Sequence, residues 1–407
     1  MLVTLIPMFD ENMVVKAYSL FTQKKNNFLN PMLLGTAYND GVTQIAGLEL
    51  LDLMGIETLA KGTEVFVDVN NISIFADLEE QCHAPHERLV LLMDNSVKPE
   101  EMYIKRLKEL KGKGYKLAIR KLGVADFEPY REVLSLMDYV ILNHKKFDIT
   151  KAKIYFEKVY PNVSLIACNV NDGEIMERLK ADGGYKLYEG DFYRVPMTKG
   201  AKEVAPLKTN YIELLNMVNN SEFELTEAAD VIGRDTALII DLLKIVNRMS
   251  RNGEIKSIRH AAAMLGQREL HKWINTAVAA RLYADKPSEV TRLSLIRAKF
   301  AENLAPVFEL AGRSQEAFLM GLFSVLDVIL EKPMEEALEI VQVSKDVRKA
   351  LLENDGMFAE LRNFMKAYEN ADWQEIDRLS VIKGIDHEPV YKAFADALVW
   401  YRELARV

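Results

Sequence analysis

Short β-rich runs alternate with amphipathic stretches through the first half of the chain, a rhythm that predicts βα units around a mostly parallel sheet. Strands are expected near Val3–Ile6, Val65–Val69, Leu89–Met93, Lys116–Ile119, Tyr139–Leu142, Ser164–Ala167 and Leu187–Glu189, and these seven strands suggest a barrel. Between them, residues 99–111 read as a helix. Met102, Ile104, Leu107 and Leu110 face largely one way, Lys105, Arg106, Lys108 and Lys111 the other, and Gly112 and Gly114 stop it.

Past about residue 205 the apolar positions return at helical spacing and the β-branched alternating runs disappear, so the second half is expected to be all-α. Thr226 can cap a helix that Gly233 ends, Asp235 the next one through Asn247, and Ser257 a helix 258–265 that Gly266 ends. Further helices are expected over residues 294–310, 316–330, 334–340, 345–353, 357–369 and 389–404. The segment 196–206, with Gly200 and its lysines, is the expected junction between a domain of residues 1–200 and one of residues 201–407.

With 407 residues, 49% of them hydrophobic, the chain can build two cores of ordinary size. No run approaches the roughly 20 apolar residues that cross a bilayer, and the N-terminus lacks a basic segment followed by a long apolar one. A cytoplasmic protein without a membrane partner is expected. Cys82 and Cys168 supply neither a disulfide framework nor a four-thiolate zinc site. The net charge of −8 lacks the basic footprint of phosphate-backbone binding, so nucleic acid is not an expected partner.

Three segments carry the candidate chemistry. They are Ala17-Tyr18-Ser19-Leu20-Phe21, then Gly114 through Gly123 with Arg120-Lys121 at its strand end, and Gly184 through Pro196. In that order they resemble the EAL family of cyclic di-GMP phosphodiesterases, (βα) barrels whose strand ends hold metal ions and the dinucleotide. What the resemblance implies for the site is loss of its ligands. Ser19 stands where the signature glutamate would be, Leu92 and Asn95 where two more acids belong, and Arg120 and Lys121 where paired aspartates belong. The lysine that orients water becomes Ile141, nearby acids become Asn143 and Asn171, and a metal-binding glutamate becomes Cys168. Asp68 and Glu189 alone keep oxygen ligands, while Asp94 and Asp172 lie one step from ligand positions. Two-metal hydrolysis needs several carboxylates converging on ions about 4 Å apart. No bound metal or other cofactor is expected from this set.

The second half resembles the HDOD family, helical relatives of the HD phosphohydrolases that lack the His-Asp metal centre. The resemblance rests on Gly233 through Leu238, Val246-Asn247, Ile255 through Ala261, Leu265-Gly266, Arg297 through Glu302 and Ala317 through Asp327. Ser324 and Val325 occupy the degenerate HD position. A degenerate EAL barrel followed by an HDOD domain resembles the YuxH-like group of bacterial signalling proteins. The resemblance implies a non-catalytic regulator or scaffold that binds a protein partner, a homo-oligomer being one form of it, with cyclic di-GMP binding weak or undetectable. Two alternatives stand beside it: a nucleotide receptor that does not hydrolyse, and a residual metal-dependent phosphohydrolase.

Three other patterns bear on function. Cys82, His83, His86 and Glu87 are zinc-ligand types, set against a plain loop bent by Pro85. Arg120-Lys121 with Lys145-Lys146 could hold a phosphate, set against cations that pair with Asp68, Asp94 and Glu189. Residues 227–247 have the outline of a helix-turn-helix, but Leu238, Ile239, Leu242 and Val246 make the second helix too apolar for a DNA groove.

Overall fold

The chain begins with two antiparallel strands, β1 (Leu2–Phe9) and β2 (Val15–Gln23), joined by a tight turn. Asp10 makes the turn: its Oδ1 accepts from the backbone amides of Asn12 at 2.9 Å and Val14 at 3.0 Å, with Met13 in the left-handed region. The computed structural model describes residues 2–23, 45, 47–60, 62–146, 148–194, 206–219, 223–249, 255, 257–282, 288–341 and 343–405. Of the expected junction 196–206, all but Pro206 lies outside them.

Six parallel strands complete a closed eight-stranded barrel: β3 (Glu64–Asp68), β4 (Leu89–Met93), β5 (Lys116–Ile119), β6 (Tyr139–Asn143), β7 (Ser164–Cys168) and β8 (Tyr185–Glu189). Strand β1 closes it by running antiparallel to both β2 and β8. The strand that periodicity alone did not count is β2, which entered only through the motif containing Ser19.

Alternation along each strand decides what the barrel encloses. Met8, Ala17, Phe66, Val90, Leu92, Ala118, Ile141, Ile166 and Leu187 pack together inside it. Two residues onward on several strands, the same inward face carries Ser19, Asp68, Arg120, Asn143, Cys168 and Glu189 to the mouth. After β8 the loop passes hard against Val170, where a Cβ on Gly190 would collide with the backbone. Hydrogen bonds from Val170 to Glu189 and from Phe192 to Val170 brace that approach.

The chain divides into two compact units, residues 1–195 with 363–398, and residues 196–362 with 399–407. The division expected near residue 200 therefore differs at the C-terminal end. Residues 363–398 join the barrel because specific polar contacts tie them there. The Tyr368 hydroxyl accepts from the Val3 amide at 3.2 Å, and Gln23 donates to buried Asp377 at 2.6 Å. Arg194 donates to Asn370 at 2.9 Å and lies 3.7 Å from Glu369. His387 also reaches Asp377, at 3.2 Å, and is largely buried.

The second unit is built of helices, including Leu225–Ile232, Thr236–Met249, Ile258–Leu282, Ser288–Leu304 and Ser314–Phe323. Asp235 caps its helix as expected, accepting from the amides of Ala237 at 2.8 Å and Leu238 at 3.0 Å. Gly266 interrupts the 258–282 helix with a φ of 72°. Thr226 is not a cap. The first helical bond runs from Ala228 to Glu224, which places Thr226 inside the first turn. The helix expected over 316–330 is broken at Ser324-Val325, and a short helix Leu326–Leu330 follows.

Candidate active site at the barrel mouth

Arg120 follows β5 directly and turns inward, its side chain 16% exposed. Its guanidinium lies 4.8 Å from the centre of the Phe21 ring and 3.4 Å from an Asp68 carboxylate oxygen, while its Nε has no hydrogen-bond partner. Lys121 takes a left-handed conformation, φ 64°, and carries its ammonium out to Asp94 at 3.0 Å. At the far side of the mouth, the Ser19 hydroxyl donates to Glu189 at 3.3 Å.

Crowding by the strand ends governs the electrostatics. Burial pushes the Glu189 carboxyl above its ordinary pKa, and Arg120 and the Ser19 bond pull back against it. Asp68, although its side chain reaches solvent, is raised by the desolvating strand ends packed around its carboxyl, with Arg120 and Lys121 opposing. Burial also pushes the Cys168 thiol up to about 12, helped by the negative charge of Glu189, so this sulfur is a protonated, unreactive neighbour. Asp94 moves the other way. Burial would raise it, but bonds from Ser96 and Lys121 hold it below the usual carboxylate range.

Of the residues singled out in the sequence, Ser19, Asp68, Arg120, Cys168 and Glu189 come together, with Lys121 and Asp94 at the rim. Leu92 and Ile141 belong to the apolar barrel filling beneath. Asn95 is exposed, its carbonyl accepting from Tyr130 at 3.1 Å, and Asn143 accepts from the Lys145 amide at 3.0 Å. Asn171, with its amide turned to satisfy both sides, donates to Asn169 and accepts from Lys145 at 2.7 Å. Asp172 does not reach the mouth; it caps the helix Gly173–Asp182 by accepting from Ile175 at 2.8 Å. Sequence reasoning missed Phe21, the aromatic platform under Arg120; its place two residues beyond inward-facing Ser19 was the available signal.

The donor set does not fit a metal pair. Among the described residues, no group of three or more His, Cys, Asp and Glu side chains could hold a metal ion. The mouth acids already face Arg120, Lys121 and Ser19. The Cys82 segment is dispersed too: His83 bonds Asp52 at 2.9 Å, and His86 bonds the Lys113 carbonyl at 2.9 Å and stacks on Tyr115. What the mouth can do is bind an anion with Arg120 and Lys121 and exchange a proton through carboxyls whose affinity for it is raised.

In the helical unit, Ser324 and Val325, expected at the HD position, are tied into the packing around them. Arg297 donates to the Ser324 hydroxyl at 3.0 Å, which itself donates to the Gly321 carbonyl at 2.7 Å, and Val325 is buried. Leu238, Leu242 and Val246 are core residues, so the 236–249 helix is not a DNA-reading helix.

Residues 204–359 match the HDOD domain family. The helical half carries an HDOD domain. Over nearly its whole length the chain is similar to YuxH of Bacillus subtilis, 24% identical across 98% of this chain and 97% of that one. It is also similar to the cyclic di-GMP phosphodiesterase CdgJ of Vibrio cholerae, 26% identical over 329 residues, 79% of this chain and 75% of CdgJ. Among solved structures, the EAL-domain protein YkuI of Bacillus subtilis, in complex with cyclic di-GMP and calcium, aligns over 67% of this chain and 73% of its own. Its TM-score is 0.37 at 13% identity. The helical half thus has its family assignment from the HDOD match, and the barrel stands on its own closed strand order. The matches overturn two expectations from the sequence. The non-catalytic, non-enzyme reading is contradicted by the likeness to CdgJ, named as a phosphodiesterase, and so is the expectation that cyclic di-GMP binding is weak or undetectable. No helix among the described residues is long and apolar enough to cross a membrane.

Proposed function

We propose that the protein acts on cyclic di-GMP as a phosphodiesterase, with the barrel mouth as its site. The observation that carries this reading is the likeness to CdgJ across both halves of the chain. The geometry of the mouth is compatible with it: Arg120 and Lys121 supply positive charge for a phosphodiester, and Asp68 and Glu189 stand beside Arg120 with raised proton affinity.

In this reading the ionised fraction of one carboxylate takes a proton from the attacking water as its oxygen bonds to phosphorus. The P–O3′ bond breaks, and the leaving oxygen receives a proton from the second carboxyl. Arg120 holds the charge that gathers on the phosphoryl oxygens. A guanidinium fixed over Phe21 is already oriented for that task, which lowers the cost of organising the site. Because the donor set fits no metal pair, no step passes through a metal. The reading includes a cytoplasmic setting, supported by the free thiols of Cys82 and Cys168.

The test is incubation of the full chain with cyclic di-GMP, chromatographic detection of the linear dinucleotide, and parallel reactions with and without a chelator. Turnover that survives the chelator is expected. Chelator-sensitive turnover would keep the phosphodiesterase and reject the metal-free route, and saturable binding with no product would overturn the catalytic reading.

A further inference from the structure

The rim of the barrel mouth between β6 and β7 is braced around one lysine. Beyond β6 the chain turns back at once: the Asn143 carbonyl accepts from the Lys146 amide at 3.0 Å, and the Asn143 Oδ1 accepts from the Lys145 amide at 3.0 Å. His144 crosses to the loop after β7, its Nε2 donating to the Asn169 carbonyl at 2.7 Å. Asn169 is left-handed, φ 63°, and its carbonyl also receives the Asn171 side-chain amide at 3.3 Å. The Asn171 side-chain oxygen in turn accepts from the Lys145 ammonium at 2.7 Å. Both ends of this lysine are therefore fixed, the backbone amide by Asn143 and the ammonium by Asn171.

Its charge is not answered as the charges of its neighbours are. Arg120 lies 3.4 Å from Asp68 and Lys121 3.0 Å from Asp94, whereas the partner of Lys145 is a neutral amide. Among the described residues, no carboxylate comes within ion-pair distance of Lys145. The acids nearest in sequence are engaged elsewhere: Asp148 caps the helix Ile149–Val159, and Asp172 caps the helix Gly173–Asp182. An amide orients an ammonium without neutralising it, and leaves the other N–H groups of the lysine for a ligand. Asn143 pairs with Cys168, and Cys168 with Glu189, across the strand ends, so Lys145 rises from the same rim as Arg120. With neighbouring strands about 5 Å apart, the lysine stands one to two strand widths, about 5–10 Å, from the end of β5.

We propose that Lys145, held by Asn171, binds the second phosphodiester of a cyclic dinucleotide whose first phosphodiester lies on Arg120. The inference rests on the reading of the mouth as the site for cyclic di-GMP. That ligand carries its two phosphodiesters on opposite sides of one ring, so a phosphate on Arg120 leaves its twin over the neighbouring strand ends. Asp68 and Asp94 repel an anion from the β3 and β4 side, and the ring extends toward β6 and β7, where the positive charge of Lys145 has no acid opposing it. The lysine is then a specificity-determining residue, because a ligand with a single phosphodiester on Arg120 makes no use of it. Asn171 keeps the cation open to the ligand, since an aspartate at that position would hold the same ammonium and cancel its charge.

The experiment is calorimetry on the full chain, in the cold so that turnover is slow against the titration, with cyclic di-GMP and with GpG, which has the same bases and one phosphodiester. Linear product from cyclic di-GMP is assayed alongside. Wild type is expected to bind cyclic di-GMP about ten-fold or more tighter than GpG. Lys145→Met and Asn171→Asp should each weaken cyclic di-GMP by about ten-fold and leave GpG within about two-fold, while Lys145→Arg keeps most of the affinity. Asn171→Asp preserves shape and the bond to Lys145, so its effect isolates charge, and circular dichroism checks the fold of each variant. Wild-type affinity for cyclic di-GMP in both Lys145→Met and Asn171→Asp, or an equal loss for GpG, would overturn the subsite. Product from wild type together with unchanged affinities rejects the subsite and leaves the phosphodiesterase reading standing. Weakened cyclic di-GMP binding in both variants with no product from wild type keeps the subsite and rejects catalysis, and no binding by wild type rejects both.

Discussion

Replacing Arg120 with methionine removes one guanidinium and changes the balance of the whole mouth. Its bond to Asp68 is charged, a class of interaction that contributes about 1.5–3 kcal/mol when well buried. The Asp68 side chain is 54% exposed, so solvent screening reduces that contribution to about 1 kcal/mol. The contact with Phe21 adds about 0.5–1 kcal/mol, and Glu189 loses its nearest counter-charge as well. The expected loss near neutral pH is about 2 kcal/mol, which lowers the Tm of a unit this size by roughly 5 °C. The pH dependence is the sharper readout. Asp68 and Glu189 have raised proton affinity in the fold, so the folded state holds protons that the unfolded chain has released above the ordinary carboxylate range, and stability falls as pH rises through that window. Removing Arg120 raises both carboxyls further and deepens the fall. Urea denaturation at about pH 4 and about pH 8 should therefore show a gap between wild type and Arg120→Met that is small in acid and widens with pH. An equal gap at both values would refute the placement of Arg120 between these acids.

Other outcomes follow from single contacts. Tyr368→Phe should cost about 1 kcal/mol by leaving the Val3 amide without its acceptor, measured by denaturant midpoint. A fragment ending at residue 362 should lose the barrel's cooperative transition, because it lacks residues 363–398 of that unit; retention of a native barrel transition would contradict the partition. Asp235→Ala should destabilise the helical unit by about 1 kcal/mol, and Asp235→Ser should restore most of it. Gly321→Ala would drive a methyl group into the Arg297 carbonyl and force apart two helices that pack along their length, a loss of about 2–3 kcal/mol visible in thermal melts.

Much of this architecture is legible along the chain, and the reasons it stops being legible are physical. The inner strands β3 to β8 stand out because both their faces are covered, which leaves near-continuous apolar runs such as Leu89–Met93. Strand β2 is harder to see: Lys16, Ser19 and Thr22 break up its apolar pattern, and the turn before it is made by Asp10 without a glycine. The helix Trp373–Lys383 was missed for a similar reason, having few fully buried apolar positions, of which Ile376 is one. Nothing local tells that residues 363–398 return to the barrel, since that depends on Val3 meeting Tyr368 and Gln23 meeting Asp377 across more than 350 positions. The set Ser19, Asp68, Arg120, Cys168 and Glu189 came from the family resemblance, and alternation along the strands is what turns it inward. The pairing of Arg120 with Asp68 and of Lys121 with Asp94 was readable as well, whereas the Ser19 to Glu189 bond and the Phe21 platform were not, because they depend on closure of the barrel.

The most direct test of the central claim is the rate of linear dinucleotide formation from cyclic di-GMP by the wild-type chain, Arg120→Met and Glu189→Gln under identical conditions, with Asp235→Ser as a control outside the barrel. Turnover in wild type and Asp235→Ser, with a loss of about 100-fold or more in both mouth variants, is the expected result. Turnover unchanged by either mouth substitution, or no product from the wild-type chain, would contradict it.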